Sequence, residues 1–175
     1  MNRPGAKIRG EEITLRPTLA SDLPDLMTLW NDGRVMAWVG FPDGLGYDAA
    51  KIARWFERVR SREDRRHYVV VSSSLGFCGE AYYAVDPGSR RAGLDIKLRP
   101  ETQGGGRATA ALTALIHRVF ETESAVDSVW TEPAVHNLAA RTLYWSCGLR
   151  PTDRPADMEP GPSYWELRRR KAAKA

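Results

Sequence analysis

Cysteine is scarce in this chain: Cys78 and Cys147 are the only two in 175 residues. Each sits inside an apolar-periodic segment, which excludes a disulfide framework and suits small buried thiols in a reducing compartment. Long apolar runs are missing too. No stretch approaches the ~18 apolar residues of a membrane span, and the opening MNRPGAKIRGEE lacks the apolar centre of a signal peptide. A cytoplasmic protein without a membrane partner is expected. There are three histidines, none with metal-ligand spacing, and His136 reads as polar loop filling, so no metal is expected. Internal repeats and low-complexity blocks are absent, and no Ser-His-Asp or Cys-His arrangement can be supported.

What is present is an ordinary globular composition, 42% hydrophobic and 27% charged, long enough for one buried core. The net charge is +4, but the last eight residues, RRRKAAKA, carry five positive charges, so the remainder is slightly acidic. A terminal charge run is a solvated face, which argues against a specific nucleic-acid partner. The expected organisation is a flexible lead-in over 1–11, one domain over 12–167 and a basic tail over 168–175.

Periodicity orders the domain. Glu12 to Arg16 reads as a strand with Ile13 and Leu15 on one face. Ser21 is a candidate N-cap for a helix carrying Leu23, Leu26, Met27 and Trp30 at helical spacing, with Pro24 in its first turn. Asp48 can cap a second helix whose stripe is Ile52, Trp55, Phe56 and Val59. Between them Gly40 to Gly46 is too rich in Gly and Pro for regular structure and reads as a mobile loop; Trp38 beside it could line a pocket. Three strands follow, around Tyr68 to Val71, Phe77 to Val85 and Leu94 to Leu98, with a turn at Asp86 to Ser89. A helix with Ala108, Leu112, Leu115, Ile116 and Val119 buried comes next, then a strand at Val126 to Trp130, a helix at Leu138 to Cys147 and a strand at Tyr164 to Leu167. The order βααβββαβαβ predicts an α/β (α+β) fold, a mixed central sheet with helices on both faces.

The stretch RPETQGGGRAT joins the last of the three strands to the long helix. Free N–H groups at a helix N-terminus favour an anion, and glycines let it approach without a Cβ in the way. A Walker loop needs Gly-Lys-Ser/Thr, where this chain has Gly106-Arg107-Ala108. A dinucleotide fingerprint would need Gly or Ala at Thr109 and another strand order.

Gln103-x-x-Gly106-x-Ala108 resembles the Q/R-x-x-G-x-G/A signature of the GNAT superfamily of N-acetyltransferases. Further on, Asn137 through Leu149 resembles that family's N-x-x-A-x-x-x-Y-x-x-x-G-F, with Asn137 as a good N-cap, Gly148 as a stop and Tyr144 two turns along the face of Asn137. Leu149 replaces the usual Phe. Together with the Ile13 to Pro17 strand, the resemblance covers roughly residues 12 to 167. The long helical opening resembles the ribosomal-protein N-terminal acetyltransferase branch, although Ala110-Ala111 replaces that branch's frequent Glu-Ala.

The resemblance implies a GNAT-like fold and acetyl transfer from acetyl-CoA, as co-substrate, to a primary amine. It assigns Gln103, Gly104, Gly105, Gly106, Arg107, Ala108 and Thr109 to the diphosphate, and Leu98 and Asn137 to the pantetheine arm. Tyr144 is the candidate acid toward the departing sulfur, better described as a hydrogen-bond donor because a phenol near pKa ~10 is a weaker acid than a thiol near ~8.5. Glu80 and Asp95 are the candidate bases, directly or through water. A peptide N-terminus is the first acceptor class expected. An aminoglycoside or other small amine is the second, since Gly93 to Ile96 and Thr131 to Pro133 resemble those enzymes. A non-catalytic acyl-CoA-binding module is the alternative from another class, and a homodimer is left open.

Overall fold

A computed structural model describes residues 5–8, 10–86 and 88–170. Among them, eight strands form one sheet: β1 (Gly5–Ile8), β2 (Glu11–Pro17), β3 (Arg65–Ser72), β4 (Gly76–Asp86), β5 (Arg91–Leu98), β6 (Ser128–Thr131), β7 (Arg150–Pro151) and β8 (Trp165–Arg168). Their spatial order is β1-β2-β3-β4-β5-β6-β8-β7, and every neighbouring pair is antiparallel except β5 and β6. The helices are α1 (Leu23–Trp30), α2 (Gly33–Met36), α3 (Ala49–Arg60), α4 (Arg107–Thr122) and α5 (Leu138–Ser146). The mixed sheet with helices on both faces is the expected fold class.

Each face has its own core. On one, α4 buries Ala111, Leu112, Leu115 and Val119 against Ile13, Leu15, Tyr83 and Leu94, and α5 adds Tyr144. This is the stripe that a 3.6-residue period puts on one side of a helix. On the other face α1 and α3 bring Leu26, Leu29, Trp30, Ile52, Trp55 and Val59 onto Val69.

Several boundaries differ from expectation. Part of the lead-in is a strand, because Gly5 to Ile8 pairs with Glu11 to Thr14. Ser21 is not the cap of α1: the chain first makes a 3-10 turn over Ala20–Asp22, and the Asp22 carboxylate accepts from Leu19 N at 2.8 Å and from Arg16. Asp48 does cap α3, accepting from Lys51 N at 2.7 Å. The basic tail begins later than 168: Arg168 closes β8, and Arg169 donates to the carbonyls of Phe120, Glu123 and Val126. Residues 171–175 of that tail lie outside the described residues.

The Gly/Pro-rich stretch expected to be a mobile loop is pinned to its surroundings. Leu45 N donates to Trp30 O at 2.8 Å, and Asn31 bonds both backbone groups of Tyr47. A Cβ on Gly33 would stand 2.0 Å from Pro42 O, and one on Gly44 2.4 Å from Asn31 O. These glycines serve close backbone approach.

The sheet opens between β5 and β6. Arg91, Ala92 and Gly93 pair in parallel with Ser128, Val129 and Trp130, and the pairing stops there although β5 runs on to Leu98. Trp130 stands over Gly93, where a Cβ would lie 3.2 Å from the indole.

Candidate active site

The opening of the sheet holds a cleft of about 730 Å³, into which Tyr144, Asp95, Leu98, Gln103, Gly104, Ala108 and Asn137 all project or border. Residues 40 positions apart in sequence thus share one wall. The cleft has two halves, one at the α4 and α5 N-termini and one over the α1–α3 face of the sheet.

In the first half, Gly104, Gly105 and Gly106 adopt φ of 83°, 62° and 86° in succession, the left-handed region that glycine alone enters without strain. Gly106 then caps α4. Arg107 N bonds Gly104 O and Ala110 N bonds Gly106 O. Among the described residues no acceptor serves the N–H groups of Gly104, Gly105, Gly106, Ala108 or Thr109. Five free amides around a helix N-terminus form a concave anion site. Gln103 turns its amide back to donate to Leu98 O at 3.2 Å, bracing the loop on the end of β5. The Arg107 guanidinium lies beside the glycine loop, its Nη1 3.5 Å from Gly104 O, but it is neutralised by the Glu11 carboxylate at 3.0 Å. Arg107 can therefore offer an anion little but its place in the helix. Asn137 Oδ1 caps α5 by accepting from Ala140 N at 3.0 Å.

Tyr144 is buried on the inner face of α5 and borders the cleft. Burial, then the Asp95 charge, push its phenol up to about 12, against the pull of a Thr131 hydrogen bond and of Lys97. The phenol stays protonated.

Period-2 geometry and the β4–β5 register set the second half. Glu80 faces Lys97, Tyr82 faces Asp95 and Ala84 faces Gly93, so these side chains share one surface of the sheet. The two candidate bases separate here. Asp95 borders the cleft, bonded by Lys97 Nζ. Glu80 does not border it: its side chain is 2% exposed and bonds His67 Nε2 at 2.7 Å, with Lys97 Nζ at 3.4 Å. Burial alone would raise its pKa, but Lys97 and His67 outweigh that and hold it at about 2. A carboxylate so held is a structural anchor, and the expectation of Glu80 as a base finds no contact with the cleft.

His67, Tyr82, Lys97 and Trp130 carry no site role in the sequence reading. His67 lies between the edges of Trp30 and Trp55 and stacks on Tyr82 at 5.9 Å. Only the pairing register brings these residues together, and no spacing in the sequence signals it. Trp38, by contrast, borders the cleft as expected and is 53% exposed. Cys78 and Cys147 are free thiols. Among the described residues no group of three or more His, Cys, Asp or Glu could hold a metal ion, and no helix is long and apolar enough to cross a membrane.

Comparison with known proteins bears on the family and the fold. A model of the acetyltransferase (GNAT) domain matches residues 12–150. Spermidine N-acetyltransferase from Vibrio cholerae, solved with CoA and spermine, superposes with a TM-score of 0.75 at 21% identity over 89% of this chain and 95% of that one. An aminoglycoside acetyltransferase in complex with coenzyme A gives 0.70 at 22% identity over 90% and 95%. A GNAT-family acetyltransferase from Bacillus anthracis gives 0.73 at 13% identity over 94% and 98%. No curated protein matches the chain. The fold and the cleft define an acetyltransferase that draws its acetyl group from acetyl-CoA and delivers it to an amine. The chain belongs to the GNAT acetyltransferase family. The narrower resemblance to the ribosomal-protein branch gains no support from these neighbours.

Proposed function

We propose that the chain transfers acetyl from acetyl-CoA to a small primary amine received over Asp95. The observation that carries this reading is the meeting of the amide nest at Gly104 to Thr109 with Tyr144 and Asp95 at the β5–β6 opening. In this reading the nest takes the diphosphate of acetyl-CoA, and the edge of β5 beyond Gly93 and Asn137 take its pantetheine arm.

The amine, once neutral, attacks the thioester carbonyl as the carbonyl π pair moves to oxygen; the adduct nitrogen gives up its extra proton to water hydrogen-bonded to Asp95, and collapse expels the thiolate. Tyr144 donates a hydrogen bond to that sulfur. With its pKa near 12 against ~8.5 for a thiol, complete proton transfer is uphill by about 5 kcal/mol, so the phenol stabilises thiolate charge rather than surrendering its proton. Asp95 accepts a hydrogen bond from the incoming amine, directly or through water, and Glu80 fixes Lys97, which in turn fixes Asp95. Of the three carboxylates on the cleft wall, Asp86, Asp95 and Glu132, the last two are paired with Lys97 and Arg154, so they can accept hydrogen bonds from an amine without giving the cleft a net negative charge.

A second reading, a peptide N-terminus, is favoured by one feature: Trp38 and Val39 border the cleft and expose 53% and 45% of their surface, and nearby in sequence Phe41 exposes 47%. An apolar rim suits a chain leaving the site.

The test is thiol release from acetyl-CoA with polyamines, aminoglycosides, amino acids and peptides, beside calorimetry of coenzyme A binding. Turnover with small amines above peptides is expected. Preference for peptides selects the second reading, and saturable coenzyme A binding with no acceptor at all would refute both.

A further inference from the structure

Three cations border the cleft, Arg34, Arg65 and Lys97. Two are neutralised by the protein. Arg34 is bonded by Asp32 and Glu101, and Lys97 by Asp95 and Glu80. Arg65 has no carboxylate partner among the described residues. Its sequence neighbour Asp64 is occupied by Arg62, at 2.8 and 2.5 Å.

Arg65 is also held in place. It opens β3 opposite Ala84, on the surface of the sheet that carries Tyr82 and Asp95. Its guanidinium lies 4.4 Å from the centroid of Tyr82, a ring that also stacks on His67 and has Lys97 Nζ 5.7 Å from its centroid. Its Nε is buried and bonds nothing. Arg91 and Arg118 also leave Nε unbonded, but neither borders the cleft. No carboxylate neutralises this guanidinium, and a guanidinium fixed on an aromatic face is already oriented for a bidentate pair with an anion.

We propose that Arg65 is the specificity residue of the acceptor half-site and binds a carboxylate of the acceptor, so that the preferred substrate is a small amphoteric amine. Its amino group lies over Asp95 and its carboxylate on Arg65. This rests on the acetyltransfer reading above for the place of the amine. The residue also borders a second cavity of about 470 Å³, together with Arg60, Arg62 and Arg66. The polyamine class, which carries no anion, leaves Arg65 unpaired and adds like charge beside it.

The experiment compares matched acceptors with the full chain: β-alanine, diglycine and lysine, each against its carboxamide, with putrescine as the amine lacking any anion. Two readouts are taken, kcat/KM by thiol release and acceptor Kd by calorimetry in the presence of coenzyme A. The wild type should prefer the carboxylate of at least one pair. Arg65→Gln should lower that carboxylate-to-amide ratio about ten- to a hundredfold, the worth of a charge-assisted pair. Arg65→Lys should retain part of it, because it keeps the charge and loses the fork. The ratio is internal to each variant, so general damage from the substitution cancels, and a melting curve records folding. Equal handling of carboxylate and amide by the wild type in both readouts, including binding of neither, overturns the proposal. So does an unchanged ratio in Arg65→Gln. Failure of the acetyltransfer reading looks different: no thiol is released with any amine, while the calorimetric ratio still reports on Arg65.

Discussion

Replacing Glu80 by Gln separates a structural anchor from a catalytic base. Glu80, His67 and Lys97 have side chains only 2%, 5% and 11% exposed, and the carboxylate is the junction between the other two. Neutralising it leaves a buried ammonium supported by Asp95 alone. Removing one partner of a buried charged pair costs about 3–5 kcal/mol. At roughly 2–4 °C per kcal/mol for a chain of this size, the melting midpoint should fall by about 6–20 °C. The pH dependence has a definite sign. The folded-state pKa is depressed from 4.5 to about 2, so the contribution is complete above pH 4.5 and is lost as pH falls through 2. The Gln variant should therefore show a flatter loss of stability on acidification than the wild type. Melting curves from pH 2 to 7, read by circular dichroism, check this. Assayed well below its midpoint, the variant should keep kcat within about threefold, because no reacting atom is touched. An unchanged midpoint together with a kcat loss of about a hundredfold or more, the range of a missing general base, would refute the reasoning.

Tyr144→Phe should lower kcat about ten- to a hundredfold, the worth of a hydrogen bond to a charged group, with little change in the acetyl-CoA KM. Since the phenol is raised from 10.0 to about 12 and acts protonated, its support is present below that value, and an alkaline loss of activity centred near pH 10 that vanishes in the Phe variant would contradict it. Gly104→Ala, at φ +83° with open space around it, should weaken coenzyme A binding through about 1–2 kcal/mol of backbone strain, measured by calorimetry against an unchanged fold. Gly79→Val should prevent folding, because a Cβ there would meet Lys97 O at 2.0 Å; a soluble variant melting like the wild type would show that the β4–β5 contact is wrong. In Arg107→Ala the Glu11 carboxyl, held at about 2 chiefly by Arg107 and then by Ser72, should titrate back toward 4.5 in a nuclear magnetic resonance titration.

The sequence by itself determined the local elements, among them the glycine loop and the helix caps that border the cleft. Helical stripes such as Leu112, Leu115 and Val119, the caps Asp48 and Asn137 and the three glycines are local properties, since one turn of helix or one dihedral angle is set by residues a few positions apart. Tyr144 was reached through the family resemblance, and its place two turns along the face of Asn137 is a local property. What was lost locally was small: two-residue β7 is too short for any period, and Ser21 was displaced because Asp22 has a better use with Arg16 and Leu19 N. The acceptor half was decided by tertiary structure alone. Glu80 and Asp95 look alike in alternating strands, and only the pairing of Glu80 with Lys97 and of Tyr82 with Asp95 puts one carboxylate in the cleft and the other beneath it. Arg65 becomes notable only once every other cation in the cleft has met its carboxylate, often from far along the chain, as Arg34 meets Glu101. Charge compensation is a sum over spatial neighbours, and a linear order of residues does not contain it.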